Sequence, residues 1–324
     1  LRGLWEFAPR NLSGNLGHPA IALANGLRTL EVMGWQHSAV ALRYVTRYIA
    51  GYDGDKTYAA NLDKTKRTAS ALPVDWMSAV ADKDATIALF KLLHAGKDQE
   101  ARDLILAELA SGRMKAGSVW DAISLSAADS VFRHKIGGGA LGAQIHAVTT
   151  TNALRFGFDL VDDPQVKVIN LLQAVGVICD FYVRNMIREG NLRELSLIDL
   201  KQDQAPTSGA MRDVFEMLPF KAREHFEPKK GEREASDSAC QLAFSLLNDQ
   251  KNQQSFMQTA RSYLCVKASL DPHDIKFPAA IFEDAAHASA PWRPFLLAAS
   301  VHSLHGSQSP DTTVLLQVRD AIKS

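Results

Sequence analysis

The chain of 324 residues is 46% hydrophobic and 22% charged, with 36 basic and 36 acidic side chains. That length and apolar content suffice for a sizeable core. The even charge balance gives no sign of the basic field that nucleic acid or an anionic membrane attracts, so neither partner is expected, although a local basic patch fits the same totals.

No stretch reaches the roughly 20 uninterrupted apolar residues of a membrane span. The most apolar, VKVINLLQAVGVICDFYV (166–183), is broken by Lys167, Asn170, Gln173 and Asp180. The three cysteines, Cys179, Cys240 and Cys265, are odd in number, far apart and set in apolar or helical patterns. They read as reduced core thiols of a cytoplasmic protein, and their spacing suits neither zinc nor an iron–sulfur cluster. The first residue is Leu1 and not Met, so upstream sequence is expected.

Helical periodicity dominates from end to end. His18-Pro19 opens a helix over 19–34 that Gly34 ends, and a second follows at 37–51. Residues 52–83 are polar and weakly periodic. Helices resume at 84–95, 98–111, 117–134 and 140–157. Asp163-Pro164 supplies a cap and a first-turn proline for a long apolar helix over 164–188, which Gly190 closes. A helix at 210–218 precedes a charged stretch at 219–236, expected as a surface loop. Further helices are expected at 235–248, 251–269, 278–288, 293–305 and, opened by Ser309-Pro310, 310–322. Neither alternating strands nor a fixed-period repeat is visible. The prediction is an all-α fold: one large helical domain spanning 1–324, a bundle of mostly antiparallel helices around a buried pocket.

The chemistry-bearing residues are histidines set among small or apolar neighbours. In GGGALGAQIHAVTTTNALRF (137–156), a helix face carries His146 together with Gly139, Gly142, Thr149, Thr150, Ala153 and, one residue beyond, Gly157, at about 100° per residue. Below His18, the corresponding face carries Ala22, Asn25 and Thr29. His287 follows Glu283 by four residues, and His302 and His305 lie three apart. Two readings stay open: ordinary packed histidines, or inward imidazoles from several helices that meet at a metal.

The polar stripe Asn170, Gln173, Asp180 and Arg184 is likewise either a solvated edge or the lining of an internal cavity, where Asp180 and Arg184 would pair. The glycines at 137, 139 and 142 match a dinucleotide fingerprint only formally, because no strand precedes them and no P-loop lysine follows. A turn before a close-packed helix explains them. No nucleophile elbow is present.

LGHPAIALANGLRTLEVMG (16–34), QIHAVTTTNALRF (144–156) and FEDAAHASAPWRPFLLAA (282–299) resemble, in order, the histidine-bearing segments of the questin-oxidase-like proteins, all-helical oxidoreductases acting on polycyclic aromatic polyketides. The resemblance covers about 50 residues. It implies a non-haem metal site, iron first, with His18, His146 and His287 as ligands and His302 or Glu283 completing the sphere. Asn25, Thr149, Thr150, Asp180 and Arg184 would line the pocket. It further implies a hydrophobic substrate, with electrons from NAD(P)H as an external reductant or from an upstream or separate electron-donor domain. Ala22 and Ala290 stand where the family carries a second histidine and a lysine. A non-catalytic helical binding domain with packed histidines is therefore the alternative expectation.

Overall fold

The computed structural model describes residues 2–10, 12, 15–51, 56–78, 82–135, 142–179, 184–188, 190–201, 210–219, 232–267 and 271–323. Among these are sixteen α-helices and no strand beyond one isolated bridge between His134 and Leu192. The fold is an all-α multi-helix bundle. In chain order the helices are α1 (Arg2–Phe7), α2 (His18–Met33), α3 (Ser38–Ala50), α4 (Lys56–Ala69), α5 (Lys83–His94), α6 (Asp98–Ala110), α7 (Ala116–Arg133) and α8 (Gly142–Leu160). Then come α9 (Pro164–Gly176), α10 (Arg184–Arg188), α11 (Ala210–Met217), α12 (Glu232–Leu246), α13 (Gln250–Lys267), α14 (His273–His287), α15 (Arg293–Ser300) and α16 (Thr313–Lys323).

The residues cluster into two compact units where the sequence reading has one domain: residues 1–127 with 146–188, and residues 128–145 with 189–324. In the first unit α9 packs on α4, α6 and α1, α2 on α3, and α5 on α6. In the second, α12 packs on α11 and α15, and α14 on α13 and α15.

Local chemistry explains the helix starts. Asp163 caps α9, its carboxylate accepting from the backbone N–H groups of Gln165 and Val166 at 2.9 and 3.1 Å, with Pro164 in the first turn. Pro19 likewise sits in the first turn of α2, whose end is closed by the Gly34 N–H on the Leu30 carbonyl. The last helix starts later than Ser309-Pro310 suggests. Its cap is Thr312, whose hydroxyl accepts from the Leu315 N–H at 3.1 Å. The polar stretch 52–83 holds α4, which has too few apolar residues to announce itself but buries Tyr58, Asn61 and Thr65. Helix α14 begins before the expected 278 and carries Pro278 inside it.

The long apolar segment ends its α-helix at Gly176, passes through a π-helical turn at 177–179, and is buried from Val166 through Cys179. Its polar residues are not a solvated edge. Gln173 accepts from the Asn61 amide at 2.7 Å and donates to the Pro9 carbonyl at 2.6 Å, so one buried amide ties α9 to α4 and to the turn after α1. Lys167 donates to the Phe158 carbonyl at 2.6 Å and stands 4.7 Å over that residue's ring, and burial pushes its ammonium below the usual lysine range. Asp180 lies outside the described residues, as does the side chain of Arg184.

Two features invite measurement. A Cβ on Gly157 would fall 2.4 Å from the Trp5 ring, so the absence of a side chain is what seats Trp5 on α8. Gly157→Ala is expected to destabilise the chain by about 1–3 kcal/mol in urea titrations, as overpacking of a tight site does.

Cys179 and Cys240 are buried, but Cys265 is exposed, a departure from the expected core position, because it occupies an outward position of α13. Burial pushes the Cys240 thiol up to about 12. In a thiol-reagent titration of the native chain, Cys265 is expected to react first, and Cys240 only on unfolding. Since the unfolded thiol ionises near 9 and the folded one does not, stability should fall as pH rises through that interval.

Candidate functional site

In the first unit the structure brings His18 and His146 together. Their ring centroids are 4.5 Å apart with planes at 71°, an edge-to-face contact. The chain reaches this arrangement by a tight turn. Gly17 has φ of +72°, and a Cβ there would fall 2.0 Å from the Thr150 hydroxyl oxygen. That hydroxyl lies 3.3 Å from the Leu16 carbonyl, which accepts from it. A residue with a side chain at 17 would therefore lift α2 off α8 and separate the rings.

His18 Nδ1 lies 2.8 Å from the Asn15 carbonyl. A carbonyl only accepts, so Nδ1 carries the proton, and in the neutral ring Nε2 is the basic nitrogen. His146 is buried with Thr149 and Thr150 on its own helix face, whereas His18 is half-buried and Ala22 above it likewise. Asn25 and Thr29, next on the α2 stripe, are exposed. The pair thus has a closed side of small residues on α8 and an open side along α2. Further along α8, Asn152 accepts from the Arg28 guanidinium at 3.1 Å, and Arg28 stacks 4.5 Å over Phe156.

The other nominated ligands belong to the second unit. His287 is exposed in the last turn of α14, Glu283 is half-buried one turn before it, and His302 is buried after α15. His302 faces a carboxylate not anticipated from sequence, with Nε2 3.6 Å from Asp237 Oδ1, and its ring is 5.7 Å from that of Phe132. His305 similarly faces Asp274 at 3.2 Å. Among the described residues no group of three or more His, Cys, Asp or Glu side chains is placed to hold a metal ion. The described donor set therefore does not fit a resident iron, and no chemistry below is routed through one. The glycine run at 137–141 lies outside the described residues.

Asp237 is the centre of a charged cluster. Arg193 meets it with two nitrogens, at 2.6 and 3.1 Å, and Arg233 approaches at 3.4 Å. Both guanidiniums also donate to the Phe132 carbonyl in the last turn of α7. The arrangement caps a buried helix end: the orphan carbonyls of the last turn and the negative pole of α7 are met by cations from α12 and from the segment after α10. Asp129, one turn back, accepts the Leu197 N–H at 2.7 Å and has Arg133 at 3.7 Å. Burial, and then the neighbouring Arg193, push the Arg233 guanidinium down to about 10. The sequence reading set Arg233 in a charged surface loop and began the helix at 235; α12 begins at Glu232 instead, which buries Arg233 one turn from Asp237, because that guanidinium caps the end of α7.

No family model matches the chain, and no curated protein or solved structure is detectably similar to it.

Removing the carboxylate would leave a buried guanidinium, Arg233, and a half-buried one, Arg193, facing each other. Asp237→Ala should destabilise the chain by about 2 kcal/mol in denaturant titrations, less than for a fully buried pair because Asp237 is partly solvated.

Proposed function

We propose that the chain is an oxidoreductase acting on a hydrophobic substrate and that the His18–His146 pair is its working site, with His18 Nε2 as the proton acceptor. One observation carries the reading. A half-open imidazole whose tautomer is set by the Asn15 carbonyl lies edge-to-face on a fully buried one. A base needs a ring fixed in one tautomer and a neighbour that excludes water on one side, and both are present here. Oxidation as the reaction class rests on the resemblance of the three histidine segments to questin-oxidase-like proteins. In this reading an external NAD(P)H or a separate donor supplies electrons. The free thiols support a reducing, cytoplasmic setting.

A second reading, a non-catalytic helical binding domain, is favoured by the exposure of His287, the histidine of the third segment.

The test is oxygen consumption by the purified full chain with polycyclic phenols and NADPH. His18→Gln is expected to lower turnover by about 10²–10⁴-fold, with the folded state retained at the assay temperature as checked by its unfolding transition. Turnover untouched by that substitution would overturn the assignment. Binding of the phenols without turnover, equal in both proteins, would establish the binding domain instead. Elemental analysis should find no stoichiometric iron; iron bound in wild type and lost in His146→Ala would overturn the metal-free reading.

A further inference from the structure

The hairpin of α2 and α3 leaves an apolar surface uncovered. Val32 is 88% exposed, Met33 55%, Trp35 50%, Val40 76% and Tyr44 66%, all within 13 consecutive residues. Helix α3 turns only Val45 and Ile49 inward. On its outer face Val40, Arg43, Tyr44 and Arg47 fall within an arc of about 100°, so cations and apolar groups share one side.

Isolated exposed apolar residues are ordinary in proteins; five large ones within 13 residues of one helical hairpin are not, and such clustering marks an interaction surface. The charge is one-sided too. Residues 32–51 contain Arg43 and Arg47 and no acidic residue, in a chain whose totals balance; Glu31 on one side and Asp53 and Asp55 on the other are the flanking acids in sequence. No described helix is long and apolar enough to cross a membrane, but lying on one needs less. An amphipathic helix with aliphatic side chains, a tryptophan and a tyrosine to enter the acyl boundary, and arginines that lie along it with their heads among phosphates, has the composition of an interfacial element.

We propose that the α2–α3 hairpin docks on an anionic lipid surface, with Trp35, Tyr44 and Val40 entering the interface and Arg43 and Arg47 meeting the headgroups. Charge complementarity selects this occupant. Residues 32–51 hold no carboxylate that could neutralise Arg43 and Arg47 across a self-contact, whereas phosphate headgroups supply the missing anions; a neutral apolar partner would leave them unmatched. Val32 also ends the stripe of α2 that begins at His18, through Ala22, Asn25 and Thr29, so the surface and the open side of the histidine pair share one helix face. The binding itself does not depend on what that pair does.

The experiment is co-sedimentation of the full chain with vesicles of phosphatidylcholine containing about 30% phosphatidylserine, against pure phosphatidylcholine, at low and high salt. Binding to the anionic vesicles, weakened by salt, is expected. Arg43→Gln with Arg47→Gln should lower the partition coefficient about tenfold or more, and Trp35→Ser with Tyr44→Ser by a similar factor, with unchanged helicity. Absence of binding to the anionic vesicles overturns the proposal, and so does binding that neither pair of substitutions alters. A concentration-dependent dimer abolished by Trp35→Ser with Tyr44→Ser, in a chain that ignores vesicles, would assign the surface to a second copy.

Discussion

A polar group on a helix buried on every side costs free energy unless something meets it, and three helices of this chain are buried in that way. Every residue of α7 from Ser118, of α8 from Gln144 to Leu154 and of α9 from Val166 to Gly176 is buried. Two consequences follow from the cost of unpaired polar atoms in such surroundings. Small side chains let neighbours approach, as Gly157 lets Trp5 onto α8, and polar side chains become ties between elements, as Gln173 and Lys167 do. The histidine pair obeys the same rule. His146 is tolerated in the interior of the first unit because α2 brings His18 onto it.

That contact also explains why the working groups are on one side open. Helix α2 buries Leu23, Leu27 and Leu30 on its inner face and leaves the stripe from His18 to Val32 progressively exposed. The helix is thus a wall with a half-buried imidazole at its start and an apolar rim at its end. The hairpin turn through Trp35 extends the rim onto α3, where two buried residues suffice to hold the helix and the remainder faces outward.

In the second unit the equivalent problem is the end of α7, whose last carbonyls are buried. Arg193 and Arg233 satisfy them, and Asp237 compensates the paired guanidiniums. The segment after α10 is fixed in passing, through the Leu197 N–H on Asp129 and the pairing of Arg193 with the Arg133 backbone. His302 stands at the edge of this cluster, where Asp237 and the Phe132 ring are its neighbours.

Much of the fold was legible in the chain. Apolar periodicity placed most helices, Asp163-Pro164 and His18-Pro19 placed their starts, and the absence of alternation excluded sheets, because these depend on neighbours a few residues apart. Helix α4 escaped because its burial rests on Tyr58, Asn61 and Thr65, which no apolar pattern reports. The small-residue face around His146 was likewise readable as a place of close approach. Which group made the approach was not. The stripe through Asn170 and Gln173 gave equal support to a solvated edge and a buried one, and only the arrival of Asn61 and the Pro9 carbonyl decided between them. The same holds for the histidines. Sequence identified His18, His146, His287 and His302 by their surroundings, yet ring-to-ring contact depends on how far the Gly17 turn lets α2 descend onto α8. Periodicity along a helix says which residues share its face; what stands opposite that face is decided by packing between segments more than a hundred residues apart.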